Sequence, residues 1–170
     1  MVRVGAYRKL VKPPRGGFEF DRDKDWKSFL SPMIEAAIMD EPKLEELRDK
    51  ILELGGSEVN VTQREPHLDE LLERGQVFYG KGSKRCPGEA SQCHTNVAAL
   101  WVHDRKQIRI VTGYALSKDG LWRQHSWALD GRDNKVIETT IPRLLYYGVV
   151  LSDGEAEEFA EFGGEDSCWS

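Results

Sequence analysis

The chain has 170 residues, 31% of them charged, with a formal net charge of −5. That length suits one domain with enough chain to bury a core, and that composition suits a soluble globular protein rather than a disordered one. The acidic balance argues against a general nucleic-acid or membrane-surface binder, which needs a basic face.

Residues 1–25 run from basic (Arg3, Arg8, Lys9, Lys12, Arg15) through Pro13-Pro14 and Gly16-Gly17 to acidic, and read as an extended arm or an edge strand. Asp25 to Ala37 reads as a short helix, with Trp26, Phe29, Leu30, Met33 and Ile34 on one face, although Pro32 interrupts it. The clearest helix is Glu41 to Leu54, where Leu44, Leu47, Ile51 and Leu54 recur at helical spacing and Gly55-Gly56 closes the run. A short strand over Glu58–Thr62 follows. A short helix comes next over Pro66–Arg74, with Leu68, Leu71 and Leu72 inward and Gly75 as its C-cap.

Gln76 to Tyr79 reads as a strand, and Gly80 to Ser91 as a loop whose Lys84 and Arg85 are solvated. Cys93 to His103 reads as a helix with Val97, Leu100 and Trp101 as its apolar stripe. Strands are expected at Arg109–Ser117, Leu121–Leu129, Lys135–Thr140 and Tyr146–Leu151, with turns at Lys118-Asp119-Gly120 and Asp130–Asn134. From Gly154 the chain is acidic and reads as a surface helix or a loose tail. Helices and strands fall in blocks, which is an α+β pattern. We expect a single domain with a mainly helical part (1–75) packed on an antiparallel sheet with a nucleophile-bearing helix (76–151), then an acidic tail (152–170).

No run of about 18 apolar residues is present, so no transmembrane helix is expected. The basic N-terminus leads into no apolar segment, so no signal peptide is expected and the default location is cytoplasmic. Three cysteines, an odd number, suit a reducing compartment better than a disulfide framework.

Chemistry concentrates around Cys93, His125 and Glu138. A thiol in the first turn of a helix lies beside free backbone N–H groups and the positive end of the helix dipole, and both favour the thiolate. Ser91 is the expected N-cap. Backbone N–H groups there, with Gln92 as a weaker side-chain donor, can face an oxyanion. His125 opens the alternating stretch His125-Ser126-Trp127-Ala128-Leu129 and is the expected base. Glu138 follows thirteen residues later, across one turn. In a hairpin it returns to the level of His125 and orients its ring. Asp130 and Asp133 lie in the turn, too far from His125 to serve. His94, Trp127 and Tyr147 are weaker candidates for substrate contact, and Trp122 is a further cleft candidate. Taken one at a time, a buried cysteine, a histidine among aromatics and a glutamate at a strand end are each more often structural. Their order and placement together carry the reading.

Rival constellations are less well formed. Cys86, Cys93, His94 and His103 lack the close ligand pairs of structural zinc sites. Gly80-Lys81-Gly82-Ser83-Lys84 lacks the complete phosphate-loop order.

Cysteine at a helix start, then His125-Ser126-Trp127 on a strand, then Glu138-Thr139-Thr140 on the next, resembles the transglutaminase-like branch of the papain-like fold. That family's pattern is Cys, His-Ala-Trp and Asp-x-Thr. The resemblance spans roughly residues 91–147, with Glu in place of the usual Asp and His94 where Trp usually follows the nucleophile. It implies a papain-like core and a cysteine hydrolase or acyl transferase acting through a thioester on a peptide, protein or small amide. No metal or organic cofactor is implied. The alternative expectation is a non-catalytic binding protein on the same scaffold.

Overall fold

The computed structural model describes residues 40–61 and 65–162. The arm and helix expected before residue 38 lie outside the described residues, as do Thr62 and Cys168. All described residues belong to one compact unit, Ala37–Ser170. In chain order they form α1 (40–53), β1 (Glu58–Asn60), α2 (Leu68–Arg74), β2 (Gln76–Tyr79), β3 (Lys84–Arg85), α3 (Cys93–His103), β4 (Ile108–Leu116), β5 (Leu121–Asp130), β6 (Val136–Glu138), β7 (Leu145–Val150) and α4 (Asp153–Phe162). The class is α+β. None of these helices is long and apolar enough to cross a membrane.

The sheet has seven strands in the order β2-β7-β4-β5-β6-β3, with β1 added beside β5. It is mixed rather than antiparallel, because β1 runs parallel to β5 and β3 parallel to β6. After β6 the chain crosses back, and β7 pairs with β4 on the far side of β5. Residues 80–83 join β2, at one end of the strand order, to β3, at the other. A connection that short spans roughly 17 Å at full extension, so the sheet has to curl. The segment read as loop contains β3 because Lys84 and Arg85 pair in register with Ile137 and Glu138.

Alternation along β4, β5 and β7 divides the sheet into two faces. One face carries Ile110, Tyr114, Trp122, Ala128, Tyr147 and Val149. It packs against Leu47 and Ile51 of α1, Leu68 and Leu71 of α2, and Val97 and Trp101 of α3. The other carries Val111, Ala115, Trp127, Leu129, Val136 and Tyr146, with Phe78 and Val150 against them. The curl brings Phe78 edge-on to Trp127, with ring centroids 5.7 Å apart. At the centre, Gly113 of β4 faces His125 of β5 on one side and Gly148 of β7 on the other. A Cβ at Gly113 would overlap the Tyr147 carbonyl and Gly148 Cα, so glycine is required there for space.

Gly75 caps α2 as expected, its N–H donating to the Leu71 carbonyl, with ordinary extended dihedrals of φ −59° and ψ 137°. Glycine is needed there because a Cβ would overlap the Tyr147 hydroxyl and the Leu71 carbonyl. Ser91 does not cap α3. It holds φ 62°, and Gln92 takes the cap position without a side-chain bond. The acidic segment after Gly154 is helical as far as Phe162, with Ala156 buried and α4 lying against α3.

Candidate active site

Cys93 begins α3 and is partly exposed. The loop before it is held at several points. Cys86 N–H donates to the Glu138 carbonyl at 3.0 Å, and Gly88 N–H to the Thr139 carbonyl at 2.8 Å. Asn96, one turn into α3, accepts from Glu89 N–H at 3.0 Å and donates to the Glu89 carbonyl at 2.8 Å. Lys84 pairs with Asp130 and Asp133, and Arg85 donates to the Thr140 carbonyl.

His125 and Glu138 are 2% and 0% exposed. They project from neighbouring strands onto the face that carries Trp127 and Tyr146. Nε2 of His125 donates to the carboxylate, 3.0 Å from Oε2 and 3.2 Å from Oε1. The same carboxylate accepts the Thr140 N–H at 2.8 Å and the Thr140 hydroxyl at 3.0 Å on Oε1. Oε2 also accepts the Tyr146 hydroxyl at 2.8 Å. An ionised carboxylate needs such a set of donors to be tolerated in a dry site.

The ring is fixed through Nε2, which leaves Nδ1 for the thiol. Burial alone would push the Cys93 thiol up. The hydrogen bond and charge of His125, helped by the backbone N–H groups of Ser126 and His94, outweigh it, and the thiol lies below its ordinary value. Burial likewise opposes the imidazolium, but Cys93 and Glu138 raise His125 to about 9. Glu138 falls to about 2, burial being overcome by His125, Thr140 and Tyr146. Burial and the Glu138 charge raise the Tyr146 phenol above its ordinary range, so it remains a donor. Such an arrangement can hold a thiolate–imidazolium pair, which is the form a thiol nucleophile requires.

The topology explains how a thiol on the helix side meets a base on the opposite face. β4 pairs along β5 on one edge. On the other edge β1 pairs with Leu121–Arg123 and β6 with Ala128 and Leu129. Residues 124–127 therefore have no strand partner on that edge among the described residues. α3 starts at this opening, with Cys93 beside the Ser126 N–H.

Of the sequence-derived site residues, Cys93, His125 and Glu138 come together. Gln92 immediately precedes the nucleophile. His94 turns inward, with Nδ1 2.8 Å from Ser126 Oγ. Trp127 is fully buried, its ring 6.2 Å from that of His125 and 4.9 Å from that of Tyr146. It is a wall behind the base and not a substrate contact. Tyr147 faces the helices and donates to the Leu71 carbonyl at 2.6 Å, away from the acid. Its neighbour Tyr146 holds the acid instead. Trp122 lines no cleft; it is buried and donates to the Gly55 carbonyl. Asp130 is occupied by Arg132 and Lys84.

Sequence reasoning missed Tyr146, Thr140 and Ser126. The period of two gave notice of the first, because of two adjacent tyrosines on a strand only one can face the acid. Thr140 two residues after Glu138 is a local side-chain-to-backbone turn, which gives the acid-x-Thr spacing a physical reason.

A cleft of about 310 Å³ lies between the end of β2 and the β5–β6 turn, lined by Phe78, Tyr79, Lys81, Ser83, Lys135 and Val136 among others. None of the three central residues lines it. No group of three or more His, Cys, Asp or Glu among the described residues is placed to hold a metal ion. Compared with known family models, with curated proteins and with solved structures, the chain finds no match.

Proposed function

We propose that the chain is a cysteine-dependent hydrolase or acyl transferase acting on amides of peptides, proteins or small molecules. The observation that carries the reading is the His125–Glu138 bond. It commits Nε2 to a buried carboxylate and leaves the other ring nitrogen to a thiol at a helix start. The order of these groups, and the His-x-Trp and acid-x-Thr spacing around two of them, resemble the transglutaminase-like branch of the papain-like fold.

Substrate approaches from the thiol, since Cys93 is partly exposed while His125 and Glu138 lie behind it. The thiolate sulfur attacks the amide carbonyl carbon, and the carbonyl electrons move to oxygen. Backbone N–H groups at the start of α3 face that oxyanion. The intermediate collapses with cleavage of the C–N bond, and the amine leaves with the proton of His125. A thioester to Cys93 remains. His125, now neutral, takes a proton from water or from an acceptor amine as it attacks. The tetrahedral species expels the thiolate, giving an acid or a new amide and restoring the ion pair. Glu138 stays ionised throughout and keeps the imidazolium oriented.

The test is incubation with p-nitrophenyl acetate at pH 7 and mass analysis of the quenched protein. An acetyl group on Cys93, with an initial burst of one nitrophenolate per chain and loss of both in Cys93→Ser, supports the reading. Acylation spread over lysines, unchanged in that variant, refutes it.

A further inference from the structure

His94 follows the nucleophile directly, and its surroundings account for how the thiol is aimed. Gln92 makes no side-chain cap bond and Ser91 is in the left-handed region. Besides the Asn96–Glu89 pair, the first turn of α3 is tied into the middle of the sheet. Nδ1 of His94 is 2.8 Å from Ser126 Oγ, and Ser126 Oγ donates to Thr112 Oγ1 at 3.0 Å. Ser126 and Thr112 are 0% and 4% exposed and are direct partners in the β5–β4 register. Phe159 of α4 backs the His94 ring, 5.7 Å between centroids.

The arrangement pairs two neighbours with two neighbours. Cys93 and His94 are consecutive on the helix, and His125 and Ser126 are consecutive on the strand. Alternation sends His125 to one face of β5 and Ser126 to the other. The peptide between them thus carries both the base for the thiol and the anchor for the helix that bears it. Any slide of α3 that breaks the His94–Ser126 contact also displaces sulfur from imidazole.

We propose that His94, Ser126 and Thr112 form a positioning relay that sets the Cys93–His125 geometry, with His94 acting through the helix and not on substrate. The inference rests on the reading of Cys93 and His125 as a reactive pair. A displacement of ~1 Å costs a positioned reaction about 100-fold, so loss of the tether should show at the thiol before it shows in the fold.

The experiment measures iodoacetamide alkylation of Cys93 against pH, in full-length protein carrying Cys86→Ser and Cys168→Ser. It compares Ser126→Ala, Thr112→Val, His94→Ala and His94→Asn, with thermal unfolding alongside. Ser126→Ala removes one oxygen from a filled site and Thr112→Val keeps the side-chain shape, so the fold is retained in both. The expected result is a rise in the apparent thiol pKa and a loss of about tenfold or more in alkylation rate at pH 6 for Ser126→Ala and His94→Ala. Thr112→Val loses less. His94→Asn recovers most of the rate, because its amide reaches the place of Nδ1. A wild-type thiol that titrates normally overturns the reactive-pair reading itself. A low wild-type value left unmoved by Ser126→Ala overturns the relay alone, as does His94→Asn behaving like His94→Ala.

Discussion

Glu138→Gln is the substitution that most directly questions the site, because it keeps size and shape and removes only charge. The two carboxylate oxygens face different sets of donors. Oε1 meets the Thr140 N–H and hydroxyl, Oε2 meets the Tyr146 hydroxyl, and His125 Nε2 lies nearer Oε2, at 3.0 Å against 3.2 Å to Oε1. A backbone N–H can only donate, so the amide oxygen of glutamine must take the Thr140 side. Its NH2 then points at Tyr146 and His125. The Tyr146 hydroxyl can turn and accept, but His125 can accept at Nε2 only by giving up that proton. The ring becomes neutral with its hydrogen on Nδ1, facing a thiol whose proton it can no longer take. An undisturbed thiol of pKa about 8.5 is only about 0.3% ionised at pH 6. Full ionisation is thus worth up to about 300-fold in alkylation, reduced to roughly 10- to 100-fold because a more acidic thiolate is a weaker nucleophile. The assay is iodoacetamide alkylation at pH 6 in the background with Cys93 as the sole thiol. Turnover should fall further, on the order of 10⁴-fold, as expected when a triad base is held in the wrong tautomer. A Glu138→Gln protein that folds and alkylates with the unaltered pH profile would refute the assignment of Glu138 as the group that orients His125.

Cys93→Ser should change how stability depends on pH. His125 is raised from 6.5 to about 9, so its stabilisation is complete below 6.5 and is lost as pH rises through about 9. Cys93 is lowered from 9.0, so its stabilisation is complete above 9.0 and is lost as pH falls through the lowered value. With both present, the two linkages run in opposite directions, so the loss from His125 as pH rises is offset by the gain from Cys93. Without the thiol that offset is gone, and the urea midpoint should decline more steeply as pH rises above 6.5 because Glu138 still holds the imidazolium, whereas an unchanged profile would show that it does not. Tyr146→Phe removes a donor 2.8 Å from Glu138 Oε2 and keeps the ring. It should cost about 2 kcal/mol in denaturant unfolding, typical of a hydrogen bond to a charged group. It should also lower the His125 titration, followed by NMR, by less than Glu138→Gln does, and an equal effect of the two would place the phenol and not the carboxylate in control of the ring.

Local signals made the described helices and most strands legible. Leu47 and Ile51 at helical spacing mark α1, and the alternation of His125, Trp127 and Leu129 marks a strand whose one face is aromatic and buried. Spacing also puts His125 and Glu138 on one face of adjacent strands, although the register sets Glu138 level with Trp127 and diagonal to His125, not level with it as expected. What it could not supply was non-local pairing. β3 is only two residues long and exists because β6 lies beside it. The return of β7 to β4 depends on Gly113 and Gly148 letting two backbones approach, which no periodicity reveals. Tyr146 and Tyr147 are indistinguishable in the sequence, because adjacent residues on a strand look alike until one face is assigned. Ser126 sits between histidine and tryptophan with no local signal of its role, because its partners come from two other elements.

The interrupted edge of β5 connects these features. A helix packed on a continuous sheet cannot bring its first residue to side chains on the far face, because paired backbone lies between. Here β1 ends its pairing at Arg123 and β6 begins at Ala128. The four residues between them carry the base, the helix anchor and the tryptophan behind the base. Unpaired backbone N–H groups in a buried strand are costly unless something accepts from them. The Ser126 N–H finds that acceptor in the sulfur of Cys93, which favours the anion in turn. The opening that gives thiol access to imidazole thus also supplies a hydrogen bond that holds the thiolate. Extending β6 by two residues toward the opening would fill the edge and satisfy Ser126 by strand pairing. On this argument such a protein would be more stable and would have an ordinary, unreactive thiol.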